Sequence, residues 1–275
     1  MSYSAHEIEF VRKKANEIRQ DSIHMIHLAQ AGHPGGSLSA ADIIAALYFK
    51  ELRIDPVNPQ WEDRDRFILS KGHCCPALYA ALCGRGYFGR EQLDTLREYR
   101  SILQGHPDMR KTPGLDMSSG SLGNGLSCGL GMAMAGRKRK KDFRVYVLLG
   151  DGECEEGSVW EAAMAAAHHN LSQLTAIMDI NHLQLTGPTE EVMSLGNLTD
   201  KFRAFGWNTI EIDGHDVAQI LEAFDYARET EGPTAILADT VKGKGVSFME
   251  NQVEWHGKAP NDEEAARAIE ELMHA

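Results

Sequence analysis

The sequence predicts an α/β fold: three layers, with a parallel β-sheet between helices on both faces. Two observations predict it. Residues 143–149 and 174–180 are apolar runs of strand length, and the segment between them, 160–169, is alanine-rich and helical. Strand, helix, strand at this spacing is a βαβ unit, whose two strands must run parallel. Two more runs, "WNTIEI" (207–212) and "AILAD" (235–239), then flank a helical segment at 217–230. Continued alternation of this kind means a parallel sheet covered on both sides.

The elements follow in order. From Ala5 to Gln30, Ile8, Val11, Ala15, Ile18, Ile26 and Ala29 recur at three- and four-residue spacing, the mark of an amphipathic helix. Ala31 to Gly36, "AGHPGG", ends it, because glycine and proline do not continue a helix. Ser39 to Lys50 reads as a second helix and "RFILS" (66–70) as a short strand. Pro76–Cys83 and Arg90–Tyr99 read as helices, and the Gly-rich stretch from Gly114 turns helical near Leu126. Its small residues suit close packing. Asp262–Met273 closes the chain as a short helix. There is no internal repeat and no Pro/Ser-rich linker, so residues 1–275 read as a single domain.

Composition removes several functions. A formal charge of −12 argues against nucleic acid as a partner. The one basic run, Arg137–Lys141, reads as a solvated loop. Five cysteines without C-x-x-C spacing fit reduced thiols. "MSYSAHEIEF" lacks an apolar signal core, and no stretch approaches the roughly 20 apolar residues that span a bilayer. The expectation is a cytoplasmic protein with no membrane partner.

In a parallel sheet, ligands gather beyond the carboxyl ends of the strands. Asp151 sits just past one such end and Asn181 just past the next, so the two should be neighbours in space. A carboxylate and an amide carbonyl are hard oxygens that suit Mg²⁺ (with Ca²⁺ or Mn²⁺ as substitutes), and such a metal keeps open positions for phosphate oxygens. The helix that follows Asp151 points its N-terminus at the same edge, where backbone N–H groups favour an anion. The pair therefore suits a diphosphate. As a calcium loop the segment fails, because position 6 is Glu156 instead of glycine and position 12 is Ala162. No G-x-G-x-x-G follows a strand, and no G-x-x-x-x-G-K-[ST] occurs.

Gly150-Asp151-Gly152, followed after residues 153–180 by Asn181, resembles the diphosphate-binding motif of thiamine diphosphate enzymes. Around it, "GHPGGSLSAADIIAALYF", "DRFILSKGH", "GHPD", "GSLGNGLSCGLGMA", "LLGDGECEEGSVWEAA" and "VKGKGVSFMENQVEWHG" match the N-terminal part of transketolases in order. The resemblance implies the diphosphate-binding domain of that family, with thiamine diphosphate and Mg²⁺ as cofactors. Asp151, Asn181 and the Leu183 backbone carbonyl would be the metal ligands. Gly120, Ser121, Leu122, Gly152 and Glu156 would approach the cofactor. Most members have proline where Ser121 stands, and His182 replaces a common asparagine or lysine.

Twelve histidines are present, and His33, His73, His106 and His215 each follow a glycine. Pro34 and Pro107 restrict His33 and His106 to extended backbone and so aim their rings. Neutral imidazoles can donate to one sugar hydroxyl, accept from another and exchange protons near pH 7. By the resemblance, His33 and His256 would contact ketose hydroxyls and assist proton transfer. His106 would bind near the donor's first hydroxyl, and His73 near the diphosphate. His215 matches no catalytic position and reads as structural; His168 and His169 end a helix and suit its dipole. The acids around Asp151 would hold the metal and cap the helix.

In this family the cofactor's reactive carbon also needs a glutamate from a pyrimidine-binding domain, which residues 257–275 cannot supply. The resemblance therefore implies the N-terminal subunit of a split transketolase. It would act with a separate C-terminal subunit carrying that domain and its activating glutamate, in an α2β2 assembly, on sugar phosphates. The alternatives are half of a deoxyxylulose-phosphate synthase-like enzyme, or a transketolase for an unusual sugar such as apulose 4-phosphate or a sulfo-sugar. A scaffold that has lost activity is disfavoured by the intact Asp151, Asn181 and histidines. The candidates for a partner-facing surface are the helix at 160–169 and the Gly-rich stretch.

Overall fold

The computed structural model describes residues 3–274. Five strands form one sheet: β1 (Arg66–Leu69), β2 (Val145–Gly150), β3 (Leu174–Ile180), β4 (Asn208–Asp213) and β5 (Thr234–Asp239). The order across the sheet is β1-β2-β3-β5-β4, and every pair is parallel. Among the described residues the helices are α1 (Ala5–Ala29), α2 (Pro34–Ser39), α3 (Ala41–Ala46), α4 (Cys75–Arg85), α5 (Asn124–Lys138), α6 (Gly157–His168), α7 (Thr189–Met193), α8 (Leu198–Ala204), α9 (Val217–Glu229) and α10 (Asp262–Met273).

Alternation along β2 explains the two covered faces. Tyr146 and Leu148 point into one core with residues of α1, α3, α4 and α9. Val145, Val147 and Leu149 point into the other, with residues of α5, α6 and α8. Because both faces are covered, the strand reads as an uninterrupted apolar run. A third, smaller core packs α10 against Ile23 of α1 and holds Trp255, which fixes the segment bearing His256.

Helix α1 begins with a Ser4/Glu7 capping box and ends at Gln30 in the left-handed region. Two expectations need correction, and one stretch gains elements that none foresaw. The helix expected at Ser39–Lys50 is α2 and α3 followed by a π-helical turn at Leu47–Glu51, and it starts earlier, with Pro34 in its first turn. Proline is favoured there because a first-turn N–H has no helical partner. Residues 90–95 form only a 3₁₀ turn, and Arg97 takes φ 65°, which stops an α-helix from running to Tyr99. The short helices α7 and α8 lie in a stretch that sequence periodicity left unassigned.

The Gly-rich stretch is divided in its use. On α5, Gly125 and Gly129 are buried, and a Cβ on Gly129 would collide with Val147 of β2, so these glycines bring the helix onto the sheet. Cys128, Gly131 and Ala135 face outward, as does Met164 of α6. Among the described residues, no helix is long and apolar enough to cross a membrane.

Candidate functional site

Strands β2 and β3 pair in register, Gly150 opposite Asp179, so their exits carry Asp151 and Asn181 side by side. Both residues are 5% exposed. Asp151 Oδ1 accepts from the Gly152 N–H at 2.8 Å and Oδ2 from the His182 N–H at 2.6 Å. Asn181 Oδ1 accepts from the Leu183 N–H at 3.3 Å. The next residues fold back as a small loop, tied by Gln184 N–H to Gly187 O and Thr189 N–H to His182 O, both 2.9 Å. Burial lifts the Asp151 carboxyl to about 6, against the two backbone donors that hold it down.

A buried carboxylate from one strand exit, with an amide oxygen and a main-chain carbonyl from the next, are the hard-oxygen donors a divalent cation takes. Two further observations fit a cation with an anion beside it. The Leu183 carbonyl already accepts from the Lys242 ammonium at 2.8 Å. The Gln184 amide nitrogen is buried without a hydrogen-bond partner among the described residues, and a Cβ on Gly152 would lie 2.8 Å from Gln184 Oε1. The turn thus combines spare donors with bare backbone, which suits a diphosphate. The residues fit the group.

Four predicted histidines come together at the same edge from four separate segments. The ring centroids of His33 lie 5.1 Å from His73, 5.5 Å from His256 and 6.5 Å from His106, and His73 stacks on His256 at 5.2 Å. All four are held below the usual histidine range, and burial is the largest cause in each. His33 falls to about 4, helped by Arg97, His106 and Lys242, and His256 to about 3, helped by Lys242, His33 and Lys71. His73 is well below the normal value and His106 is lowered less far. The cluster is therefore neutral at physiological pH and can both donate and accept. His33 Nδ1 is buried without a partner among the described residues, so a ring atom remains available.

Gly120 closes the floor: its φ is 143°, and a Cβ there would meet His106 Cδ2 at 3.0 Å. Only glycine lets the backbone lie so near the imidazole. Ser121 accepts from Asn124 Nδ2 at 3.0 Å through Oγ, and both Ser121 and Leu122 are exposed at the rim.

The neighbouring acids do not all act as expected. Glu156 occupies the N-cap position of α6, but no side-chain capping bond forms among the described residues. It is exposed, with its Cβ against Gly123. Glu153 bonds elsewhere than at the Asp151–Asn181 turn and is 2% exposed. It accepts from the Ser70 hydroxyl, the Gly123 N–H at 2.8 Å and the Gly150 N–H at 3.1 Å. One carboxylate thus clasps the three segments that lead to His73, to Gly120–Leu122 and to Asp151. Burial raises its carboxyl above the usual range despite these donors.

Sequence reasoning also missed two buried lysines. Lys71, 2% exposed, pairs with Asp179, which also accepts from Ser39 Oγ at 2.6 Å and from the Thr240 hydroxyl. Burial is the largest cause and pushes Asp179 up, but the Lys71 ammonium together with the Ser39 and Thr240 hydroxyls outweighs it and keeps the carboxylate charged. Lys242, also 2% exposed, contacts His256 Nδ1 at 3.0 Å besides Leu183, and burial lowers its ammonium to about 8. The available signal was a lysine two or three residues past a buried strand, in "SKGH" and "TVKGKG". His215 lies away from the histidine cluster, on Asp42 of α3.

Fold and geometry define a parallel α/β domain with one strand edge whose donors suit a diphosphate. Residues 11–274 match the family described as transketolase, thiamine diphosphate binding domain. The chain belongs to the transketolase family. It is 44% identical over 269 residues to one of the named subunits of the apulose-4-phosphate transketolase of Phocaeicola vulgatus, covering 97% of this chain and 95% of that one. It is 46% identical over 263 residues to the SqwG subunit of the 6-deoxy-6-sulfo-D-fructose transketolase of Clostridium sp., covering 95% and 96%. Against a Campylobacter jejuni transketolase crystal structure the TM-score is 0.93 at 33% identity, covering 97% of this chain but 43% of that one. The three-layer parallel fold expected from sequence is the fold of transketolase structures.

Proposed function

We propose that this chain is the N-terminal, diphosphate-binding subunit of a two-chain transketolase, a single domain working in the cytoplasm with a separate C-terminal subunit. The observation that carries this is the four-histidine cluster set beside Asp151 and Asn181 at one strand edge. Support also comes from relatives of the same length that bear subunit names, whereas whole transketolases are matched over less than half their length. The partner supplies the pyrimidine-binding domain and activating glutamate, two copies of each chain form the enzyme, and the outward residues of α5 and α6 face the partner.

When bound, thiamine diphosphate supplies a nucleophilic carbon that accepts and passes on a two-carbon ketol unit. Asp151, Asn181 and the Leu183 carbonyl would hold Mg²⁺, and the nearby Lys242 ammonium would offer positive charge to the phosphates. Gly120, Leu122, Gly152, His73 and Glu156 surround the cofactor. His33, His106 and His256 orient the ketose, and a neutral imidazole at His33 or His256 takes the hydroxyl proton as the C2–C3 bond breaks. Burial of the cluster keeps the bases unprotonated, so no proton must first be shed.

The two relatives with subunit names act, by those names, on a phosphorylated and a sulfonated ketose. A ketose with an anionic terminus is therefore the donor class for this chain too, and a dedicated sugar of that kind is favoured over general pentose phosphate duty. The test is affinity purification of the tagged chain from its own cells, with ketol transfer assayed on added thiamine diphosphate and Mg²⁺. A co-purifying chain and activity lost to EDTA and restored by Mg²⁺ are expected. A chain that purifies alone yet transfers ketol units at normal enzymatic rates overturns the split-enzyme reading.

A further inference from the structure

We infer that His215 is a positioning residue for the cofactor edge: it holds the loop that carries Lys242, through a buried relay from Arg19 by way of Asp42. The inference rests on the reading of that edge as the diphosphate site. The relay is complete in hydrogen bonds. The Arg19 guanidinium pairs with the Asp42 carboxylate, their side chains 9% and 5% exposed. Asp42 Oδ2 lies 2.8 Å from His215 Nδ1, and the Val241 N–H donates to His215 Nε2 at 2.8 Å.

The chemistry of the last bond assigns the proton. A main-chain N–H can only donate, so Nε2 is the bare nitrogen and the ring proton lies on Nδ1, facing Asp42. Asp42 in turn is held charged: burial is the largest cause and opposes this, but the Arg19 charge and the hydrogen bonds from His215 and Arg19 together outweigh it. The imidazole is thus oriented from both sides, by a carboxylate it donates to and by an amide it accepts from.

What the amide belongs to gives the relay its purpose. Val241 precedes Lys242, whose ammonium touches the Leu183 carbonyl and His256 Nδ1. The loop is pinned on one side of Val241 by Thr240 N–H to Ile180 O at 3.0 Å, and on the other by Gly243 N–H to Gly35 O at 3.0 Å. Next to His215, the Gly214 N–H donates to Asp239 O at 2.7 Å, so the β4–α9 turn is already seated against the exit of β5. His215 is the side chain that carries this seating to the residue before Lys242. Without it the Val241 N–H loses its acceptor in a closely packed place, and the lysine loses its fixed origin.

The test uses this chain with ¹⁵N-labelled histidine, assembled with its co-purified partner subunit, as wild type, His215→Ala and His215→Gln. Ring ¹⁵N shifts report the tautomers of His215 and His256, calorimetry reports affinity for thiamine diphosphate with Mg²⁺, and thermal melting reports the fold. In wild type, His215 is expected as the Nδ1–H form and His256 as the Nε2–H form, its Nδ1 taken by Lys242. His215→Ala should mix the His256 tautomers and weaken cofactor binding by about five- to tenfold, the worth of roughly one hydrogen bond. His215→Gln should recover part of both, since its amide oxygen can accept from Val241. If melting alone changes while the His256 shifts and the affinity stay at wild-type values, the positioning role is overturned. If wild type itself does not bind the cofactor, the diphosphate reading fails instead, and the His256 shifts alone decide the claim about His215. Should His215→Ala fail to fold, Asp42→Asn gives the same comparison, because it keeps an acceptor for Nδ1–H but not the charge that orients the ring.

Discussion

The two ends of the sheet treat charge in opposite ways. At the amino end, the carboxylates of Asp65 and Glu51 are matched by donors. Asp65, 3% exposed, accepts from Arg53 Nη2 at 3.0 Å, the Arg53 N–H at 2.9 Å and the Arg144 N–H at 2.8 Å, while Glu51 accepts from Tyr146 and Arg228. At the carboxyl end, Asp151 is lifted by burial, four imidazoles are held neutral, and buried nitrogens of His33 and Gln184 lack partners among the described residues. The amino end spends its carboxylates on cations and N–H groups, and the polar atoms it leaves buried without partners among the described residues are two threonine hydroxyls, Thr175 and Thr234. What differs at the carboxyl end is the kind of group left over, a ring nitrogen and an amide nitrogen beside a raised carboxyl, which together can meet a polar ligand.

The contrast breaks most visibly at the ion pair under the site. Lys71→Met leaves the Asp179 carboxylate buried without its cation, which should cost about 3–5 kcal/mol of stability, read by denaturant unfolding. A loss below about 1 kcal/mol would mean that Ser39 and Thr240 suffice for Asp179. Asp151→Ala addresses function instead of folding. It should weaken Mg²⁺-dependent thiamine diphosphate binding on the order of a hundredfold with the fold intact, since a metal ligand should matter at least as much as its outer partners. Unaltered affinity by calorimetry would remove Asp151 from the metal site.

The neutral histidines sharpen the comparison through pH. With folded values near 4 for His33 and 3 for His256, both stay unprotonated in the folded chain while the unfolded chain takes up protons below about 6.5. The unfolded state then binds more protons, so their contribution to stability falls as pH drops from about 6.5 toward 4. Asp151 and Glu153, raised by burial, pull the other way, so the informative quantity is a difference. The slope of stability against pH over that window should be shallower in the His33→Asn/His256→Asn variant than in wild type. Equal slopes, or ring shifts titrating near 6.5 by NMR, would contradict the buried neutral cluster. The smallest effect belongs to the amino end. Arg53 is 46% exposed in its pair with Asp65, so Arg53→Ala should cost about 1 kcal/mol or less and leave cofactor affinity unchanged. A larger loss would show that the two ends are more alike than their burial suggests.

The sequence by itself determined the strands, their parallel course and the edge where chemistry gathers. Apolar runs of strand length separated by helical periodicity allow few other arrangements, and a parallel sheet places its polar loop residues at one end. Asp151, Asn181 and the glycine-linked histidines were legible because their signal is local: a turn motif at a strand end, or a histidine held by a neighbouring proline. Helices α7 and α8 were not legible, being too short to show a period, and neither was the break at Arg97, which depends on a single backbone angle. Tertiary structure alone decided which buried carboxylate serves what. Glu153 finds Ser70 and Gly123, Asp179 finds Lys71 and Ser39, and Asp42 finds Arg19 and His215, in each case from distant parts of the chain. A carboxylate in "GDGECEEG" looks the same whether it faces a metal or a serine hydroxyl. Burial and the donors within about 3 Å set its role, and those exist only once the strands have brought separate loops to one edge.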